Sequence, residues 1–230
     1  MNELAHIRAI TLDLDDTLWP IAPVIARAEA GLQAWLTQHA PATAALPLTE
    51  KQALRRAVNA QHPDKQHDLS FLRREAIRAC LRQAGDDPSL AEPAFDVFYA
   101  LRLQVEFFPG KLDALSRLSQ RYRLVALSNG NADVFQTAAA PFFHAAVSAR
   151  EVGVAKPDAR IFQVAAQAAG VDASQILHVG DDAHHDVLGA RAAWMQVAWI
   201  TPAQTVWPSS EPEPSLRFVH LADLCDHLFA

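Results

Sequence analysis

The stretch AITLDLDDT, residues 9–17, decides the fold of this chain. Its first four residues form a short apolar run, which is typical of a strand buried in a parallel sheet. The run ends abruptly in the carboxylates Asp13, Asp15 and Asp16. Packing three carboxylates at the end of an apolar strand is costly in desolvation and repulsion unless a cation compensates. The stretch therefore predicts a buried strand that leads into a charged site.

The same pattern of an apolar run returns further along the chain, at residues 123–127, 176–179 and 196–200. The first two of these end in polar clusters, SNG at 128–130 and GDD at 180–182. Helical patterns lie between the runs, and the helix after residue 158 closes with Gly170 as its expected C-cap. Because strand and helix alternate, the fold class is α/β with a mainly parallel sheet.

Residues from about 20 to 106 break this alternation. They hold four stretches with apolar residues at helical spacing, and Thr49 with Gln52 suggests a capping box at the start of the second. Residues 41–47 are expected to form a loop. We predict an inserted α-helical domain over 20–106 and a catalytic core built from 1–19 and 107–230. Residues 201–215 hold four prolines and are expected to be irregular.

Composition narrows the function class. The 230 residues carry a net charge of −6, which disfavours nucleic acid as a partner because a phosphate backbone calls for a basic surface. The two cysteines, Cys80 and Cys225, lie far apart and are expected to be reduced thiols. Met1 to Arg8 lacks the apolar run of a signal peptide, and no run is long enough to cross a membrane. We expect a cytoplasmic protein.

Four polar clusters fall at predicted strand ends or in the loops that follow, where ligands of open α/β sheets bind. They are 13–17, 128–130, Lys156, and 180–182 with Asp186. Each residue alone has an ordinary explanation as a cap, a turn former or a surface charge. Together they suit phosphoryl transfer. Aspartate oxygens suit Mg²⁺, a carboxylate can attack phosphorus, and a lysine with a hydroxyl can neutralise the transferring group.

These clusters resemble the motifs of the haloacid dehalogenase superfamily. DLDDTL at 13–18 is similar to its first motif, Ser128 to its second, Lys156 to its third, and Gly180-Asp181 with Asp186 to its acidic fourth. The resemblance covers essentially the whole chain, since a helical cap inserted after the first motif is the arrangement of subfamily I. It implies a Rossmann-like core and a phosphatase.

The resemblance also implies roles. Asp13 would be the nucleophile and Asp15 the general acid and base. Asp13, the backbone carbonyl of Asp15, and Asp181 would bind Mg²⁺. Asp186 would support these ligands without binding the metal itself. The phosphoryl oxygens would be held by Ser128, Asn129 and Lys156, and Lys156 would also keep Asp13 ionised. Many members have glycine at the position of Asp16, but aspartate is a familiar variant.

A narrower resemblance is to the bacterial flavin mononucleotide phosphatase branch, which also dephosphorylates 5-amino-6-(5-phosphoribitylamino)uracil in riboflavin biosynthesis. It rests on 13–19, 22–25, 128–132 and 177–182. It implies a small phosphorylated metabolite as substrate, whose choice would rest with the cap. The sequence leaves open which metabolite this is, and whether the protein is a monomer or a homodimer.

Four other classes of protein share part of this motif pattern. A 2-haloacid dehalogenase uses the same fold but attacks carbon and needs neither Mg²⁺ nor a second acid, so Asp15 and Asp181 argue against it. A phosphomutase differs only in the acceptor of the phosphoryl group. A non-catalytic binding module should have lost at least one motif residue, and a phospho-receiver domain lacks the helical insertion.

Trp19 is a candidate substrate contact, whereas the adjacent His184 and His185 are expected to be solvated or to contact a partner.

Overall fold

The computed structural model describes residues 4–230; Met1, Asn2 and Glu3, on which part of the signal-peptide expectation rests, lie outside the described residues. The chain divides into two compact units. We call the segment up to Pro20 together with Glu106–Ala230 the core unit, and Ile21–Val105 the helical unit. No helix in the described part of the chain is both long and apolar enough to cross a bilayer.

The core unit contains one parallel sheet of six strands. They are β1 (Ala9–Leu12), β2 (Arg123–Ser128), β3 (Ala145–Ser148), β4 (Ile176–Gly180), β5 (Gln196–Ile200) and β6 (Leu216–Phe218). Their order in the sheet is β3-β2-β1-β4-β5-β6. The central β1 pairs in parallel with both β2 and β4, with Leu12 opposite Ala126 and Val179. The carboxyl ends of these three strands are therefore neighbours, and each leads into one of the polar clusters.

The helical unit is built from α1 (Ile21–His39), α2 (Pro41–Ala45), α3 (Leu48–Gln61), α4 (Leu69–Ala84) and α5 (Ala91–Arg102). Its buried core lies among α1, α4 and α5 and includes Leu32, Leu36, Ile77, Leu81 and Phe98. The helix α4 begins at its N-cap Asp68, whose side chain accepts a hydrogen bond from the Phe71 N–H. It ends at Gly85, whose φ of 79° is a left-handed conformation that glycine adopts at low cost.

The described part of the core unit also contains five α-helices, α6 (Lys111–Ser119), α7 (Ala149–Val152), α8 (Ala159–Ala169), α9 (Gly189–Ala192) and α10 (Leu221–Phe229). A π-helix (Ala183–Leu188) precedes α9 and carries Asp186. Alternate residues of β2, Val125 and Leu127, pack with Ile161 and Phe162 of α8. Because side chains alternate along a strand, Leu124 and Ala126 face the other side of the sheet. The helices α6 and α10 pack against each other. Gly170 has a φ of 69° and caps α8, as the sequence predicts.

Several local predictions need correction. The helix α3 begins one residue before Thr49 at Leu48, its N-cap is Pro47, and no side chain caps it, so the capping box is wrong. Part of the expected loop at 41–47 is the short helix α2. Its Thr43 is anchored through both its N–H and its hydroxyl to Asp86 Oδ2, at 2.7 and 2.6 Å. The strands β3 and β6 have no counterpart in the sequence analysis, whereas residues 201–215 are irregular as expected.

Candidate active site

Lys156 joins two of the predicted carboxylates. Its Nζ donates to Asp13 Oδ1 and to Asp186 Oδ1, each at 2.6 Å, and all three side chains are buried. Burial lowers the pKa of Lys156, but the two neighbouring carboxylates outweigh burial and raise that pKa above its ordinary value. Burial raises the pKa of Asp13, Lys156 lowers it, and the net pKa stays well above 3.8. An ionised Asp13 carboxylate therefore needs more positive charge nearby than Lys156 alone supplies.

Asp186 is held on both of its oxygens. Oδ1 also accepts from His178 Nε2 at 3.1 Å, and Oδ2 accepts from the Asp182 N–H at 3.0 Å. Burial raises the pKa of Asp186, but the neighbouring Lys156 and the His178 hydrogen bond outweigh it and hold the pKa below its usual range. Asp186 is therefore an ionised buried carboxylate whose oxygens are occupied by protein donors.

His178 is a site residue that the sequence analysis missed. It lies fully buried on β4, and its Nδ1 is 2.8 Å from Thr11 Oγ1 on β1. Desolvation lowers the pKa of His178 despite its carboxylate neighbour, so its ring is neutral near pH 7. Since the Asp186 carboxylate must accept, Nε2 carries the proton and Nδ1 accepts from the Thr11 hydroxyl. An apolar strand interrupted by histidine was the available signal.

Asp181 follows β4 and is fixed by two donors. The Thr17 hydroxyl donates to its Oδ1 at 2.8 Å, and the Trp199 indole N–H donates to its main-chain oxygen at 2.7 Å. Burial first, and the nearby Asp186 carboxylate second, raise the pKa of Asp181 to about 7. This carboxylate is therefore only partly ionised near pH 7, and a cation beside it would favour its charged form.

The carboxylates of Asp13, Asp181 and Asp186 each place an oxygen within 4.8 Å of the others. Hard oxygen donors from Asp13 and Asp181, both with raised pKa values, match what a divalent cation such as Mg²⁺ requires, whereas the Asp186 oxygens already accept from protein donors. The donor set therefore fits a metal ion. The Asp15 carboxylate is not among these three.

The Asp15 side chain is held by a hydrogen bond from Trp19, four residues further along the same loop. The indole N–H of Trp19 donates to Asp15 Oδ1 at 2.8 Å, and the Trp19 ring is fully buried with its edge against Phe107. Asp16 between them has a φ of 60°, and its N–H donates to the Trp19 main-chain oxygen at 2.7 Å. This is a left-handed conformation, which glycine adopts at low cost and which costs other residues about 1–2 kcal/mol.

The loop after β2 meets the loop that carries Lys156. The Asn129 side-chain amide donates to the Lys156 main-chain oxygen at 3.0 Å, and its Oδ1 accepts from the Lys156 N–H at 2.7 Å. Ser128 is buried, and its Oγ accepts from the Gly130 N–H at 2.9 Å. Asn129 thus holds the Lys156 backbone. His184 and His185 are both exposed, and His185 Nδ1 lies 3.1 Å from Asp182 Oδ1.

A family model described as haloacid dehalogenase-like hydrolase matches residues 7–193. The chain belongs to this family. A curated relative from Escherichia coli, the 5-amino-6-(5-phospho-D-ribitylamino)uracil phosphatase YigB, is 33% identical over 229 residues, or 96% of each chain. The phosphoserine phosphatase of Thermus thermophilus is 31% identical over 134 residues, which cover 56% of this chain and 54% of that protein.

Among solved structures, one titled 2-haloacid dehalogenase, from Pseudomonas syringae pv. Tomato, is 36% identical. It superposes with a TM-score of 0.92 over 97% of this chain and 98% of its own. These relatives place the α/β core with its inserted helices in the same fold as this chain, and they carry both phosphatase and dehalogenase names.

Proposed function

We propose that this protein is a Mg²⁺-dependent phosphatase that hydrolyses a small-metabolite phosphate monoester through an aspartyl-phosphate intermediate on Asp13. Its class, a phosphatase of the haloacid dehalogenase family, rests on the family match and on the phosphatase relatives. One observation carries the mechanism. A buried lysine donates to the Asp13 carboxylate, while two more carboxylates place oxygens within 4.8 Å of it. We expect the protein to act in the cytoplasm, as a monomer or homodimer.

The first half-reaction transfers the phosphoryl group to Asp13. An Asp13 carboxylate oxygen attacks phosphorus, the bond from phosphorus to the ester oxygen breaks, and protonated Asp15 gives its proton to that oxygen so that a neutral alcohol leaves. The Trp19 indole N–H, which donates a hydrogen bond to Asp15 Oδ1, orients the Asp15 carboxyl group. The remaining task is to offset negative charge on the phosphoryl oxygens, and we assign it to Lys156 and the Ser128 hydroxyl.

The second half-reaction regenerates the enzyme. The Asp15 carboxylate takes a proton from water as the water oxygen attacks phosphorus, and the bond between phosphorus and Asp13 breaks to release inorganic phosphate. Asp15 is then protonated for the next cycle. Asn129 keeps the Lys156 backbone in place through its paired amide hydrogen bonds. We therefore assign Asn129 to positioning Lys156 in addition to the expected contact with phosphate.

Asp13, the main-chain carbonyl of Asp15, and Asp181 would hold the metal ion, and Asp186 would support them through Lys156 and the Asp182 N–H. When bound, Mg²⁺ supplies positive charge that offsets the clustered carboxylates and the phosphate oxygens. Thr17 and Trp199 fix Asp181, which keeps a carboxylate oxygen within 4.8 Å of Asp13.

For the substrate, we propose flavin mononucleotide or a ribitylamino-uracil phosphate of riboflavin biosynthesis. Similarity to YigB over 96% of both chains supports this choice.

Because the core residues bind only the phosphoryl group, we further propose that the helical unit selects the rest of the substrate. Exchanging residues 20–106 for those of a related phosphatase should transfer the order of kcat/KM values across substrates, and a preference that stays with the core would contradict this.

A 2-haloacid dehalogenase is the second candidate, because a structure with that title is 36% identical over nearly the whole chain. The decisive assay compares phosphate release from flavin mononucleotide, ribitylamino-uracil phosphate, phosphoserine and sugar phosphates with halide release from 2-chloropropionate. Each reaction is run with Mg²⁺ and with excess chelator. We expect Mg²⁺-dependent phosphate release only. Halide release that persists in chelator, with no phosphate release, would replace the phosphatase assignment.

A further inference from the structure

The helical unit contains a cavity of about 620 Å³ that the proposed reaction does not use. It is lined by residues of α1, α2, α3 and α4, together with Leu46, and is open to solvent on one side. Leu32, Leu36, Ile77 and Cys80 are buried residues on its apolar side. Its volume falls within the range of about 300–1,000 Å³ that small-molecule sites occupy.

The polar side of this cavity is positively charged. Three cations line it, Lys51, Arg55 and Arg73, against the single carboxylate of Glu29. Arg73 forms an ion pair with Glu29 and stacks over the Phe98 ring at 4.0 Å. Glu29 is thereby committed to Arg73, so the other two cations lack a paired carboxylate among the residues lining the cavity.

Within residues 4–230, neither Lys51 nor Arg55 forms an ion pair with a carboxylate. Lys51 Nζ donates to two neutral oxygens, Gln33 Oε1 at 2.9 Å and the Ala44 carbonyl at 3.0 Å. Across residues 4–230, the Arg55 guanidinium donates no hydrogen bond to a protein atom. Partial desolvation and then repulsion from Arg73 lower the pKa of Arg55, while Glu29 opposes them. An anion in the cavity would relieve this repulsion and satisfy the planar guanidinium, which matches carboxylate-like groups.

We propose that this cavity binds a small amphiphilic anion, with its charged head at Arg55 and Lys51 and its apolar body against Leu32, Leu36 and Ile77. The mixture of an apolar wall and a few converging charged groups is what such a ligand requires. The site belongs to the helical unit alone, so its occupancy is measurable without reference to phosphatase activity.

The probe is 8-anilinonaphthalene-1-sulfonate, which joins a sulfonate to an apolar ring system, titrated into the full-length protein by fluorescence. We expect saturable binding at one site per chain. Octanoate should displace the probe, whereas acetate and 1-octanol at equal concentration should not, since each lacks one half of the required chemistry. Displacement by 1-octanol as effective as by octanoate would remove the charged head from the site.

The matched variants are Arg55→Gln and Arg56→Gln. These residues are adjacent on α3 and both exposed, but only Arg55 lines the cavity. Arg55→Gln should weaken probe binding by about tenfold to a hundredfold, the usual effect of losing a hydrogen bond to a charged group. Arg56→Gln should change it by less than twofold, and Arg55→Lys should restore part of the affinity. Circular dichroism melts verify folding.

Three results would overturn the proposal. Equal probe affinity for Arg55→Gln and Arg56→Gln would remove Arg55 from the site. Absence of saturable binding in folded wild-type protein would remove the site itself. If light scattering shows that the chain dimerises, and Arg55→Gln but not Arg56→Gln disrupts the dimer, the cavity is a self-association surface and the small-molecule assignment is wrong.

Discussion

Nε2 of His178 lies 3.1 Å from Oδ1 of Asp186, the same oxygen that accepts from Lys156. This hydrogen bond joins the central strands of the sheet to the charged site, because the other ring nitrogen contacts Thr11 on β1. A neutral histidine fits this place. It donates to the carboxylate without adding a charge that would compete with Lys156 for Asp186.

Replacing His178 by leucine should therefore destabilise the protein and slow turnover. The change leaves the Thr11 hydroxyl and one Asp186 contact unsatisfied in a buried place, at a cost of about 1–3 kcal/mol in the free energy of unfolding. His144→Leu, at an exposed position, is the control and should stay within about 0.5 kcal/mol. Urea unfolding measures both. In wild type, ¹⁵N NMR should find the proton on Nε2, and a proton on Nδ1 at pH 7 would contradict the network.

Asp13→Asn should abolish phosphate release while leaving the fold intact, because the amide is nearly isosteric but a poor nucleophile. We expect kcat to fall by at least about 10³-fold, as for other nucleophile replacements. Asp96→Asn, at an exposed aspartate of α5, is the control and should keep full activity. Acid-quenched wild type incubated with labelled substrate should yield a phosphopeptide containing Asp13. Label on another residue would overturn the nucleophile assignment.

Asp15→Asn should lower kcat by about 10²–10⁴-fold, the usual contribution of a general acid and base. Trp19→Phe keeps the ring packed on Phe107 but removes the donor to Asp15 Oδ1, so we expect a smaller loss of about tenfold in kcat with KM nearly unchanged. Trp194→Phe, at an exposed tryptophan, serves for comparison. A Trp19→Phe enzyme as active as wild type would show that the indole does not orient the acid.

Gly180→Ala should destabilise the protein by several kcal/mol, because an added Cβ would collide with the Asp186 side chain. The clash involves a side chain that can itself be removed. The double variant Gly180→Ala with Asp186→Gly should therefore lose less stability than the two single losses combined. Thermal and urea unfolding of the four proteins measure this coupling. Strictly additive losses would show that Gly180 is not needed for the approach of Asp186.

Without a divalent cation, stability should fall as pH rises from about 4 to about 7. Asp181 has a folded pKa of about 7 against an ordinary value of 3.8, so the folded state binds more protons in this window and each rise in pH favours unfolding. Melting temperatures in chelator should show this slope, and Mg²⁺ should raise them more at pH 8 than at pH 6. Asp181→Asn should flatten the slope, whereas the adjacent, exposed Asp182→Asn should keep it.

The strand ends could be predicted because short apolar runs and the residues after them are local features. In a parallel sheet these ends share one edge, so Asp13, Lys156, Asp181 and Asp186 were expected near one another, and the structure brings them together. The two edge strands, β3 and β6, could not be predicted in this way. The strands β3 and β6 have only four and three residues, and pairing with a neighbour rather than local periodicity makes them strands.

The sequence by itself determined the α/β class, the helical insertion and the set of charged residues, since these depend on spacing along the chain. Only the tertiary structure decided which atoms meet. Thr11 and His178 lie 167 positions apart, yet they touch because β1 and β4 are paired in register. The same holds for the cavity of the helical unit, whose cations come from α3 and α4. Their separation depends on how the helices pack, and no local pattern encodes it.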